Sequence, residues 1–323
     1  MSTADPQYPK AAAWLFSALA TWLLSGGQPA SSQDANSQSS QGAGLSLLVL
    51  GSGGPGATGR AGAGYIVSLD GRPRILVDAG PGTFARAGEA DVDLRRVDIV
   101  MLTHLHVDHA AELPGLVKAR IVADRSDTEF KIFGPPGSPG GPGAARFPST
   151  TEFVDLMFGA HGAFGYLRDF AGHVTLHAHN IEHSAGPRVL LNVDGLALSA
   201  VTGHHGDAPS VLYRIDYRGR SITFSGDIDA AGHAALTRLA QNTDMLIFDS
   251  VVLDPPGSPP VLYTLHTAPR DIGRIAQRAG AKKLLLSHLN PALDAARDEV
   301  RASIQASYTG PIEFARDGLR DAP

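Results

Sequence analysis

From Leu45 onward the hydrophobic positions fall into short runs broken by glycine. Leu45 to Leu50 is apolar at all but one position and ends in Gly51-Ser-Gly-Gly-Pro-Gly56, the pattern of a buried strand entering a tight loop. Tyr65 to Leu69 and Arg74 to Asp78 flank Asp70-Gly71, a pair that accepts the positive φ angles of a short hairpin turn. Val97 to Leu102 is a further buried strand that delivers its last residues to a loop. The second half repeats the logic, with hairpins around Asp194-Gly195 and Arg218-Gly219. Strands Met245 to Asp249 and Lys283 to Ser287 then alternate with helical segments over Ala230 to Gln241 and Ala268 to Ala279. Strands first joined by hairpins and then alternating with helices predict an α/β fold of two mixed sheets packed face to face, helices outside. Between the halves, Gly134-Pro-Pro-Gly-Ser-Pro-Gly-Gly-Pro-Gly143 suits neither helix nor central strand. It predicts a mobile loop, either a plain surface excursion or a flap over the substrate site. Phe153 to Phe170 is apolar and aromatic enough for a helix lining a pocket.

The N-terminus departs from this pattern. Lys10 precedes an apolar run from Ala11 to Leu24, followed by small residues in Ser25-Gly-Gly-Gln-Pro-Ala30. This is the layout of a secretory signal peptide, predicted over residues 1–30, and it implies a periplasmic or secreted protein. The run is shorter than the ~18 to 20 residues that cross a bilayer, so stable membrane insertion is expected only if the signal stays uncleaved. Ser31 to Gln41 has no apolar residue except Ala35, and residues 31–44 are predicted as a disordered linker. That leaves 45–323 as one folded domain.

Composition narrows the chemistry. Of 323 residues, 43% are hydrophobic, enough for one substantial core. With 27 Lys and Arg against 32 Asp and Glu, the formal charge is −5, so nucleic acid is not the expected partner. The chain has no cysteine, which excludes thiolate metal ligands, a cysteine nucleophile and disulfides. The composition neither requires nor forbids a homo-oligomer. The loop after the first strand lacks the Lys-Ser/Thr of a phosphate-binding loop and the spacing of a dinucleotide fingerprint, and it reads as a tight turn beside the active site.

The chemistry-bearing residues gather in Thr103-His-Leu-His-Val-Asp-His109, which places three histidines and an aspartate within six positions at the end of a hydrophobic strand. On an extended backbone His104 and His106 project to the same side and can share a divalent ion, while Asp108 and His109 turn to a neighbouring one. With only nitrogen and oxygen donors, Zn²⁺ is the expected metal, Mn²⁺ and Fe²⁺ being the alternatives. His161, His173, His177, His179, His183 and His233 are more loosely spaced and are expected to be structural or exposed, with His177-Ala-His179 able to take up adventitious metal.

The H-x-H-x-D-H loop resembles that of the metallo-β-lactamase superfamily, and the resemblance spans residues 45 to 316. In the ribonuclease Z and arylsulfatase-like branch, the opening strand and loop are similar to Leu48-Val-Leu-Gly-Ser-Gly-Gly54. The next strand ends in an aspartate like Asp78-Ala-Gly80. Further phrases are similar to His205-Gly-Asp-Ala-Pro-Ser-Val-Leu-Tyr-Arg214, Ser225-Gly-Asp227 and Leu284-Leu-Leu-Ser-His288. The resemblance implies a four-layer αββα sandwich with two divalent ions. His104, His106 and His205 would hold one ion, and Asp108, His109 and His288 the other. Asp227 would bridge them, and His204 is the rival of His205. An anionic bridge fits the physics, because two cations ~3.5 to 4 Å apart repel each other, and together they bring the pKa of bound water toward neutrality. Asp108 is expected to take part in catalysis as well as in ligation. His266, in Leu265-His-Thr-Ala-Pro269, matches a non-ligand histidine of the branch that stabilises the transition state or protonates the leaving group.

The resemblance is incomplete. Ribonuclease Z enzymes that process tRNA usually carry a long arm between the third metal histidine and the bridging aspartate. Here His205 and Asp227 are joined by a stretch that reads as one hairpin. The branch's acidic phrase is altered to Phe248-Asp-Ser-Val251. The expected activity is therefore hydrolysis of a small anionic ester, a phosphodiester or an aryl sulfate, by metal-bound hydroxide. The alternatives are a tRNA 3′ endonuclease of the ribonuclease Z type, a β-lactamase or lactonase, of which Asp227 disfavours the β-lactamase, and a catalytically idle metal-binding module.

Overall fold

Alternation along the first strand already separates two cores. In β1 (Leu45–Gly51), Leu47 and Val49 face a core between two sheets, while Leu48 and Leu50 face helices, as the period-2 geometry of a strand requires. The computed structural model describes residues 44–56 and 58–323, so the predicted signal peptide and all but Gly44 of the predicted linker lie outside the described residues.

The first sheet is assembled from β1, β2 (Gly64–Leu69), β3 (Arg72–Ala79), β4 (Ile99–Met101), β5 (Thr128–Gly134) and β6 (Val174–Asn180), with helices α1 (Thr83–Glu89), α2 (Val107–Ala110), α3 (Leu113–Asp124) and α4 (Thr150–Phe158) between them. The second contains β7 (Arg188–Val193), β8 (Leu196–Thr202), β9 (Val211–Tyr217), β10 (Arg220–Phe224), β11 (Met245–Asp249), β12 (Lys283–Ser287) and β13 (Ile312–Phe314). Its helices are α5 (His233–Leu239), α6 (Pro269–Ala279), α7 (Pro291–Ala295) and α8 (Arg297–Gln305). The last strand, β14 (Arg320–Asp321), returns to pair with β1, so each sheet has seven strands, ordered β14-β1-β2-β3-β4-β5-β6 and β13-β12-β11-β10-β9-β8-β7. In both, hairpin-linked antiparallel strands give way to parallel ones, at β3–β4 and at β10–β11. Tyr65, Val67, Tyr213, Ile215 and Leu285 fill the layer between the sheets. Leu116, Val117 and Ile121 of α3 cover the outside of the first sheet, and Ile272, Ile275 and Ala276 of α6 cover the outside of the second. This is the predicted four-layer αββα sandwich of two mixed sheets with helices outside.

The elements differ from expectation where glycine or proline intervenes. The helix expected over Phe153 to Phe170 stops at Gly159, and a 3₁₀ turn over Gly165–Asp169 follows. A Cβ at Gly159 or Gly162 would stand within 3 Å of the helix's own last turn, so the chain breaks there. The helix expected over Ala230 to Gln241 divides into a 3₁₀ turn, Ala230–Gly232, and α5. The glycine- and proline-rich loop is an ordered excursion, with Ser138 bridged to Phe147 and Gly141 to Ala144. β6 is an edge strand that no continuous apolar run reveals, because Val174, Leu176 and Ala178 alternate with polar Thr175, exposed His177 and exposed His179. No helix of the described residues is long and apolar enough to cross a membrane.

Candidate metal centre

Strands β3, β4, β10 and β12 bring their C-terminal ends to one rim of the sandwich, and the loops leaving them carry the candidate residues. After β4, Thr103 to His106 remain extended before α2 begins at Val107, which turns Asp108 and His109 inward and buries them. His205 lies between β8 and β9, Asp227 follows β10, His266 precedes α6 and His288 follows β12. Asp78 and His288 adopt left-handed backbone conformations, with φ of 56° and 58°. Such angles are uncommon outside glycine and mark positions where the surrounding fold imposes the geometry.

The structure brings all the predicted ligands together. Four groups of side-chain donors, each with its atoms within 4.8 Å of one another, are His104 with His106 and His205, Asp108 with His109 and His288, His104 with His109 and Asp227, and His205 with Asp227 and His266. His104 Nε2 is 3.0 Å from His106 Nδ1, and His109 Nε2 is 3.0 Å from His288 Nε2. Asp227 is the hub: its Oδ2 lies 3.6 Å from His205 Nε2, 3.8 Å from His109 Nε2 and 3.9 Å from His104 Nε2, and its Oδ1 lies 3.5 Å from His288 Nδ1. His205, 2% exposed, is in the cluster. His204 is not; its side chain is 52% exposed and its Nδ1 is paired with Asp229 at 2.6 Å. Gly54 explains the glycine loop's position, because a Cβ there would press within 3.0 Å of the His288 carbonyl.

Surrounding groups aim these rings. Asp78, which the sequence offers only as a strand-ending aspartate, accepts from Thr103 N at 2.7 Å and Thr103 Oγ1 at 2.8 Å, and lies 2.9 Å from His109 Nδ1. His205 Nδ1 donates to the Leu265 carbonyl at 2.8 Å. Such outer partners leave the opposite ring nitrogen free for a metal. Gly80 packs equally closely, since a Cβ there would fall 2.1 Å from the Asp108 carbonyl oxygen. Gly80→Ala is expected to destabilise the fold by ~1–3 kcal/mol through overpacking and to shift Asp108, read as a lower melting temperature and reduced metal content. Phe147, from the loop after β5, sits 5.6 Å from the His106 ring, and Ala145 N donates to Asp207 at 2.7 Å. The residues just after the Gly134–Gly143 stretch, Ala145 and Phe147, therefore wall the site.

The cluster is electrically divided. Burial first, and neighbouring histidines after it, hold His104 well below the ordinary imidazole range, and burial likewise lowers His106 and His205. Burial also opposes charge on His109, but Asp78, Asp227 and Asp108 outweigh it and raise its pKa to about 10. For His288, Asp227 and Asp108 similarly prevail over burial. Burial works against the Asp108 carboxylate too, yet His288 and His109 bring it down to about 2. Asp249, which sequence reading noted only as part of an altered phrase, is buried behind these residues, and burial raises its pKa to about 6 despite His288.

The donor set fits divalent cations. It offers only nitrogen and oxygen, and buried Asp227 Oδ1, His266 Nδ1 and His288 Nδ1 have no hydrogen-bond partner among the described residues, a costly arrangement without a cation to accept their lone pairs. Without metal, His109 holds a proton at neutral pH that metal binding must displace. Cation affinity is therefore expected to fall as pH drops below about 10. Calorimetric titration with Zn²⁺ in buffers of different ionisation enthalpy should show proton release that disappears only near pH 10 for His109.

Fold and site together define a metallo-β-lactamase-fold hydrolase. Residues 73–289 match the beta-lactamase superfamily domain, more than half of the chain, and the chain belongs to that superfamily. A ribonuclease Z of Mycobacterium avium (strain 104) is 30% identical over 298 residues, covering 86% of this chain and 99% of its own length. Two solved structures are similar in fold: the metallo-beta-lactamase fold protein YhfI from Bacillus subtilis and the short form of human tRNase Z. Each has a TM-score of 0.64 at 20% identity and covers 86% of this chain and 99% of its own.

Proposed function

We propose that this protein is a binuclear metal-dependent phosphodiesterase that acts on RNA, as the name of its ribonuclease Z relatives describes, and that it cleaves a 3′ phosphodiester. The observation that carries the reading is the pair of three-residue donor sets sharing buried Asp227. The full-length likeness to ribonuclease Z supports a phosphodiester over an aryl sulfate, β-lactam or lactone substrate. His104, His106 and His205 would hold one cation, Asp108, His109 and His288 the second, and Asp227 would serve both, with Zn²⁺ favoured by the donor types. Bound cations supply Lewis acidity toward a phosphoryl oxygen and lower the pKa of water. The chain's own residues do the rest. Asp108 Oδ2, 3.1 Å from His288 Nε2, lies at the cluster's edge, where it can take up the proton of an attacking water. His266, 7% exposed with its Nδ1 3.6 Å from Asp227 Oδ1, flanks the cluster where a leaving oxygen can receive a proton. Phe147 and the loop after β5 restrict water on the His106 side.

A second reading, a small phosphodiester substrate, is favoured by one observation: only the β9–β10 hairpin lies between His205 and Asp227, so no long tRNA-gripping arm is inserted there. Cleavage of precursor tRNA and of bis(p-nitrophenyl) phosphate by the purified metal-loaded chain tests both. Precise removal of the 3′ trailer supports the RNA reading. Turnover of the small diester without tRNA cleavage selects the second, and aryl sulfate hydrolysis exceeding both refutes phosphodiester specificity. Residues 1–30 belong to the same question as an export signal for a periplasmic or secreted enzyme. Mature protein from the native host is expected to begin between about residues 26 and 35. Intact Met1 protein in the soluble cytosol would remove export and strengthen the tRNA reading.

A further inference from the structure

The rim opposite the metal centre holds a second concavity. The Asp70-Gly71 turn, the Asp194-Gly195 turn, Tyr217 at the end of β9 and the segment before β4 surround a cleft of about 630 Å³, within the size range of small-molecule sites. β3 starts beside the cleft at Arg72 and reaches the metal centre at Asp78, a separation of roughly 20 Å at the ~3.3 Å rise of a strand. A ligand in this cleft does not touch the metal ligands.

The cleft is arginine-rich in a chain of net charge −5. Five arginines line it, Arg72, Arg74, Arg95, Arg96 and Arg120, against Asp70, Asp98 and Asp194. Most of the carboxylates are already engaged. Arg74 pairs with Asp98, Arg95 pairs with Asp93 at 2.7 Å, and Asp70 accepts from Tyr217 Oη at 2.6 Å and from Arg218 at 3.0 Å. Arg72, Arg96 and Arg120 have no ion-pair partner among the described residues. The only lining carboxylate similarly unpaired among the described residues is Asp194, so two positive charges are left over.

Arg120 makes the excess more than a solvated surface. Its residue is 8% exposed, its guanidinium lies 4.5 Å over the Phe130 ring, and its Nη1 donates to the Val97 and Glu129 carbonyls. Its buried Nε has no hydrogen-bond partner among the described residues. Asp98 and Asp124 offset only part of the cost of burying this cation, since burial still lowers its pKa, and an anion in the adjoining cleft would offset more of it. Arginine forks match phosphate geometry, and exposed Arg72 and Arg96 can close on phosphate oxygens from the rim.

We propose that this cleft is a binding site for a small phosphorylated ligand of nucleoside-diphosphate size, held by Arg72, Arg96 and Arg120. The unpaired arginines Arg72, Arg96 and Arg120 all line this one concavity, which suits a compact phosphorylated ligand. The tie from Tyr217 to Asp70 joins the two sheets at this rim, so the ligand would rest on a wall fixed by the fold.

Isothermal titration calorimetry on the metal-loaded full chain tests this, with pyrophosphate and the methylene analogue of ADP as probes. A Kd below ~1 mM is expected for at least one probe, weakened tenfold or more in the R72A/R96A double variant. The D227A variant, which alters the distant metal centre, should bind the probe unchanged, and R72A/R96A should keep the wild-type phosphodiesterase rate. A Kd above ~1 mM for both probes would overturn the site. Binding lost in D227A but retained in R72A/R96A would overturn it too, by placing the anion at the metals. Tighter binding of a single-stranded RNA oligomer that R72A/R96A abolishes would replace the small ligand with nucleic acid.

Discussion

Asp227→Ala is expected to reduce metal content below two ions per chain and to lower kcat/KM by ~10³-fold or more. The reason is geometric and electrostatic. Among the described residues Asp227 is the carboxylate within 4 Å of all four of His104, His109, His205 and His288, with separations of 3.5 to 3.9 Å. Without its charge, two adjacent cations would face each other across imidazoles alone. Lewis-acid stabilisation is worth several kcal/mol, and each ~1.36 kcal/mol corresponds to a tenfold rate change. Asp227→Asn keeps the size and one acceptor oxygen, so it should retain more metal than the alanine variant while still losing rate. Elemental analysis and single-turnover kinetics check both quantities. Full activity of Asp227→Ala with a single bound metal would show that the centre works without a bridge.

His266→Ala is expected to leave metal content and fold intact while lowering kcat by ~10² to 10⁴, the usual worth of a positioned general acid. His266 stands at the edge of the cluster, 3.6 Å from Asp227 and with its ring 5.3 Å from that of His205. Because it also groups with His205 and Asp227 as a potential donor set, the variant separates two roles. Loss of metal would make it a ligand. Loss of kcat at constant metal content would make it an acid acting on the leaving group. In the second case the loss should be larger for an alkyl alkoxide leaving group, which needs protonation, than for an activated aryl oxide. An equal rise in KM for both esters with unchanged kcat would instead assign it to substrate anchoring.

Much of the site was legible because its first part is contiguous. His104, His106, Asp108 and His109 lie in one loop, and the exit of a buried strand confines them to one rim whatever the rest of the chain does. The sheet cores were legible for a similar reason: the unbroken apolar runs Leu47 to Leu50 and Leu284 to Leu286 mark strands buried on both faces, although which residue faces which core was set only by the packing. The edge strand β6 shows where this fails, since its apolar residues Val174, Leu176 and Ala178 line one face only and form no continuous run. The residues that complete the centre, His205, Asp227 and His288, could be named from sequence only through family resemblance.

The sequence by itself determined the donor chemistry, nitrogen and oxygen without sulfur, and the layered α/β arrangement, because residue type and periodicity are local properties. Tertiary structure alone decided which donors meet. Strand register and the packing of two sheets put His205 inside the cluster and turned adjacent His204 outward to Asp229. The same long-range packing set Asp78 behind His109, placed Phe147 over His106, and gathered Arg72, Arg96 and Arg120 around a cleft at the opposite rim. Each of these depends on distances between loops at the ends of different strands. Such distances follow from how the sheets pair and pack, and no local pattern in the chain encodes them.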